Sequence, residues 1–189
     1  MKDKGIAMFR MLAAALALTG VAAAAAPPLD GERTVYLTDG AGERTAVADL
    51  SFSPDGDGAT YTITMREGPF TDHFLSMRPF KCLEGASKHW CHVPYPYEIR
   101  RRVTAEDLTD LEYDLLFIWK GAAEYGINMW NGVYYQLKMD GGRITGSISE
   151  MDMDKLAVPP DAGVLRPIRA QDVEEGDPDS HWLPFVVVE

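Results

Sequence analysis

Four residues of this chain have types and spacing that could do chemistry. Cys82, His89, Cys91 and His92 fall together in the stretch KCLEGASKHWCH. Thiolate sulfur and imidazole nitrogen are the common ligands of structural zinc, so a tetrahedral metal site is one thing the stretch could build. The spacing opposes it, because His89, Cys91 and His92 crowd four consecutive positions and no Cys-x-x-Cys seeds the site. The alternative is covalent. These are the only 2 cysteines in 189 residues, an even number in a chain that opens with an export signal, and that combination points to a Cys82–Cys91 disulfide. In the chain-entropy picture a loop this short is worth about 2.5–3 kcal/mol. No metal and no cofactor are therefore expected, and Cys91 is not expected to serve as a nucleophile.

The other carboxylate and histidine groupings read as structure. Asp55 and Asp57 in SPDGDG resemble the start of a calcium loop, but the loop would need an oxygen ligand at Ala59, glycine at Thr60 and glutamate at Arg66. It fails at all three, and a plain turn is expected. Glu106, Asp107, Asp110 and Asp114 share one side of a helical pattern and read as a solvated face. Glu150, Asp152 and Asp154 would share a strand face and read as a fraying end. The chain has no Gly-x-Ser-x-Gly, no His-Glu-x-x-His, no Walker loop and no dinucleotide fingerprint, and no catalytic constellation emerges.

What remains is a recognition surface. Val93-Pro94-Tyr95-Pro96-Tyr97 leaves the cysteine loop as a stiff segment, because each proline fixes its own φ and extends the residue before it. Trp90, Tyr95 and Tyr97, with His89 and His92, are the expected ligand- or partner-binding residues, since preorganised aromatic side chains give large contact area at small entropic cost. Burial of both Trp90 and Tyr95 beyond about nine-tenths would make the loop structural instead.

The elements that must position this loop are mostly strands. Arg33–Leu37, Val47–Phe52 and Tyr61–Met65 are β-branched and aromatic or alternate apolar with polar, and Asp39-Gly40 and SPDGDG supply turns. Phe70–Phe80 has no clean period and reads as a strand bent near Pro79. Ile127–Met139 and Arg143–Met151 flank Asp140-Gly141-Gly142 as a hairpin, with Asn131-Gly132 as a break inside the first run. Thr104 looks like an N-cap, and Leu108, Leu111, Leu115 and Ile118 fall on one stripe, which predicts a helix over Ala105–Trp119. Val164–Ile168 is expected as a short edge strand. The fold class is α+β: antiparallel hairpins in a sheet or partly closed barrel, with this amphipathic helix packed across it.

Residues 1–25 read as a signal peptide, with Lys2, Lys4 and Arg10 before the apolar run Met11–Ala26. Residues 26–168 form one β-rich domain. Residues 169–189 read as an acidic linker ending in an apolar segment, Trp182–Val188, that docks on the domain. Loss of Lys2, Asp3, Lys4 and Arg10 with the signal takes the net charge from −11 to −13. That charge opposes nucleic acid, whose phosphates need Lys and Arg, and favours a cationic protein or small-molecule partner. No stable membrane insertion is expected after cleavage. The reading is a periplasmic or secreted binding or accessory protein of the cell envelope, with a secreted hydrolase as the alternative.

Overall fold

The computed structural model describes residues 29–76 and 79–189; residues 1–25, expected as a signal peptide, lie outside them. In chain order the strands are β1 (Gly31–Thr38), β2 (Arg44–Asp55), β3 (Gly58–Met65), β4 (Thr71–Phe74), β5 (Pro79–Glu84), β6 (Lys88–His92) and β7 (Arg102–Val103). A short helix α1 (Thr109–Asp114) precedes β8 (Phe117–Gly121), β9 (Gly132–Asp140), β10 (Arg143–Met151), β11 (Val173–Glu175) and β12 (Phe185–Val188). All pair antiparallel in one open sheet of order β4-β5-β6-β8-β9-β10-β12-β1-β2-β3-β7, with β11 alongside β10. No described helix is long and apolar enough to cross a membrane.

The tight hairpins follow from their turns. Gly56 has φ 63°, and Gly141 and Gly142 have φ 55° and 92°, the left-handed region that two-residue hairpin loops require. The last strand is central. Val188 stands opposite both Val35 of β1 and Ile144 of β10, so the carboxyl-terminal segment joins the two halves of the sheet.

Strand alternation divides the apolar residues between two clusters. The larger takes Val35 and Leu37, Leu50 and Phe52, Trp90, Phe117, Val133 and Tyr135, and Val186 and Val188. The smaller takes the opposite faces of β5, β6, β8 and β9, with Cys82, Cys91, Ile118 and Tyr134, covered by Tyr95, Ile99, Tyr113, Met153 and Leu156. Strands β6 and β8 are therefore buried on both sides.

That double burial overturns the long helix. The expected Ala105–Trp119 helix is six residues, Thr109–Asp114, and Phe117-Ile118-Trp119 is strand. A strand covered on both faces reads as an unbroken apolar run, which periodicity cannot separate from a buried helical turn. Leu108, Leu111 and Leu115 do enter the larger cluster, but Ile118 enters the smaller. Thr104 Oγ1 accepts from Glu106 N and Asp107 N at 3.3 and 3.1 Å, capping a turn ahead of the helix.

Two other expectations change. Val164–Ile168 forms no strand; Arg166 is instead held by Asp107 and Asp110. The segment expected as a linker contains β11, paired with Ser149–Met151 of β10.

Candidate functional site

Strands β5 and β6 pair with Cys82 opposite Cys91, Leu83 opposite Trp90 and Glu84 opposite His89. The two sulfurs are bonded, so neither cysteine is free to hold a metal. Alternation then separates the expected binding residues. His89 and Cys91 point to the side of the smaller cluster, and Trp90 and His92 to the side of the larger.

Trp90 is fully buried. Its Nε1 donates to Tyr135 Oη at 3.0 Å, and that hydroxyl donates to the Leu183 carbonyl at 2.7 Å. Tyr95 is 8% exposed, packs edge-on against Tyr97 and Tyr113, and donates from Oη to the Leu165 carbonyl at 3.1 Å. Tyr97 Oη donates to the Leu156 carbonyl at 3.1 Å. The rings of Trp90 and Tyr95 are thus more than nine-tenths removed from solvent, and they act as structural pins of the loop. His92 Nε2 donates to the Asp114 carbonyl at 3.0 Å; burial pushes its pKa below the ordinary value, against that bond and the Asp114 charge. The five residues do not form one surface.

The rigid segment they hold does form a wall. Pro94, Tyr95 and Pro96 close one side of a cavity of about 150 Å³ over the smaller cluster. Phe80 and Ile118 form its floor from β5 and β8, and Ile127, Met129, Met153 and Ala157 complete it. The lining is carbon and thioether sulfur almost throughout. Sequence reasoning found the proline wall but missed Phe80, Met129 and Met153, whose contribution depends on strand register and on the 3-10 turns at Met129–Asn131 and Met153–Leu156. Trp130, 70% exposed, sits next in sequence to Met129.

Of the four acids expected on a solvated face, Glu106 is exposed and Asp107 half-buried, but Asp110 and Asp114 are buried, as is Glu112 between them. Asp110, Glu112 and Asp114 are each less than a tenth exposed. Asp114 accepts two bonds from Arg101 and one from Tyr61 Oη, at 3.0, 3.0 and 2.9 Å. Asp110 accepts from Arg166 Nε at 2.6 Å and from Arg102 N at 3.1 Å. Glu112 accepts from Leu137 N at 2.7 Å and from the Tyr134 hydroxyl. Burial raises the Glu112 pKa, although both bonds work to lower it. Each of these carboxylates is already committed to donors of its own chain, which fixes α1 between β3, β7 and β9. Arg102 similarly ties Asp55 and Asp57 at the β2–β3 turn, and His181 Nε2 pairs with Glu150 at 3.0 Å.

The cavity geometry, rather than kinship, carries the functional reading: no protein-family model, no curated protein and no solved structure matches this chain.

Proposed function

We propose that this chain is an exported accessory protein of the cell envelope, periplasmic or secreted, which seats an apolar side chain of a basic partner protein in the cavity behind Pro94 and Pro96. The carrying observation is that cavity, about 150 Å³ of carbon-lined space closed on one side by Pro94, Tyr95 and Pro96. A dry apolar space of about that size accepts a six-membered aromatic ring, so a leucine or phenylalanine side chain fits. The wall is preorganised by the two prolines, by the Tyr95 and Tyr97 hydroxyl bonds and by the disulfide beneath, which reduces the ordering cost of binding. The charge of −13 expected after signal removal supports a basic partner. The Cys82–Cys91 bond supports export to an oxidising compartment.

Methionine methyl groups report on this directly. Met129 and Met153 belong to the cavity, whereas Met65 and Met139 pack on the larger cluster. With ¹³C-methyl methionine, titration with a lysine-rich hexapeptide carrying one leucine shifts Met129 and Met153 and leaves Met65 and Met139 unmoved. Shifts that miss Met129 and Met153 overturn the assignment.

A further inference from the structure

The geometry points to a zinc-binding site formed by His73, Glu84 and His89 on the face of β4, β5 and β6 that also carries Cys82 and Cys91, separate from the cavity and independent of its occupant. The observation is a convergence of three good ligands from three adjacent strands. One ligand atom from each of the three lies within 4.8 Å of the others. His73 Nε2 donates to Glu84 Oε1 at 2.8 Å, and the His73 and His89 rings meet edge to face with centroids 4.9 Å apart. A tetrahedral zinc with nitrogen and oxygen ligands near 2.0–2.1 Å needs ligand atoms about 3.3 Å apart.

A second observation is independent of the clustering. His89 Nδ1 is sealed from solvent and has no hydrogen-bond partner among the described residues, although buried polar atoms are normally satisfied. A cation held among the three residues is the partner that this imidazole lacks. Lys120 is the opposing charge on β8, opposite His89 in register; its Nζ is turned to the Gly121 carbonyl at 2.8 Å.

The site differs from the ligand set suggested by the cysteine stretch, of which it keeps only His89. On binding, zinc displaces the hydrogen bond between His73 and Glu84, and the His73 ring carries its N–H on the nitrogen turned away from the ion. Three protein ligands leave a fourth position for water or for a donor from another molecule. The exposed Glu84 side faces solvent and gives the ion its entry.

The test uses Zn²⁺ alone, with the purified protein competing against a chromophoric chelator near neutral pH. The expected result is one Zn²⁺ per chain. Loss of a residue that only orients a metal ligand already costs about 10–100-fold in affinity, so His73→Gln, Glu84→Gln and His89→Gln should each lose at least about tenfold. His181→Gln should bind as the parent does. Should His89→Gln fail to fold by circular dichroism, His73→Gln and Glu84→Gln decide, since both lie toward the sheet edge. Parent affinity no greater than that of the His73→Gln/His89→Gln double variant overturns the site.

Discussion

Replacing Asp114 by alanine tests the claim that α1 is held by its buried carboxylates. The Asp114 side chain is 8% exposed and its partner Arg101 48%. Arg101 regains water when the pair is lost, so the ion pair itself counts for about 0–1 kcal/mol. Tyr61 is buried and loses the acceptor for its hydroxyl, a cost of about 1–3 kcal/mol. Arg101 also carries φ 51°, a left-handed backbone that the two Asp114 bonds help to hold. Together these predict a loss of about 2–4 kcal/mol, and at about 2–4 °C per kcal/mol for a chain of this size the melting point should drop by about 4–16 °C. Asp114→Asn keeps an acceptor for Tyr61 and should cost less than half as much. Lys81→Ala, which removes a pair with Glu67 and Asp72 on the exposed surface, should leave the urea midpoint close to that of the parent. Urea melts followed by tryptophan fluorescence give all three numbers. An Asp114→Ala midpoint indistinguishable from that of Lys81→Ala would refute the reasoning.

Removal of the disulfide by Cys82→Ala/Cys91→Ala should cost about 2–3 kcal/mol, read as the difference in urea midpoints, because the loop it closes is short. At Gly132 a β-carbon would stand 2.4 Å from the Met151 carbonyl oxygen, so Gly132→Ala should destabilise by about 1–3 kcal/mol in the same melts. His92 has a folded pKa below its ordinary 6.5, so its contribution is fully present above about pH 6.5 and is lost as pH falls toward the folded value. The parent should lose more stability between pH 7.5 and 5.5 than His92→Gln does, and equal losses would remove His92 from that account.

The hairpins were legible because the information is local. Alternation in Tyr61–Met65 and the glycines at 56, 141 and 142 define both strands and turns within a few residues. The docking of Trp182–Val188 was legible from its apolarity alone, although its position between β1 and β10 was not. The acid row misled because its partners are distant: Tyr61 lies 53 residues from Asp114, and Arg166 lies 56 from Asp110. An acidic side of a helical pattern looks solvated until those cations and hydroxyls are placed beside it. Trp90 and Tyr95 misled for a related reason, since an aromatic residue beside a rigid loop serves equally as an anchor for a partner or as a pin for the loop itself. His73 and Glu84 carried no signal in sequence, because only the β4–β5–β6 register brings them to His89.

The most direct measurement of the cavity reading is the affinity of a fluorescein-labelled lysine-rich hexapeptide with one central leucine, followed by anisotropy at low salt. Burying a leucine side chain is worth about 1.5–3 kcal/mol, so changing that leucine to serine should weaken binding by about tenfold or more. Ala157 is exposed at the cavity rim, and Ala157→Phe, which fills the opening, should weaken the leucine peptide by a similar factor with the melting point unchanged. Binding of the leucine peptide to Ala157→Phe as tight as to the parent, or equal binding of the leucine and serine peptides, would contradict the account.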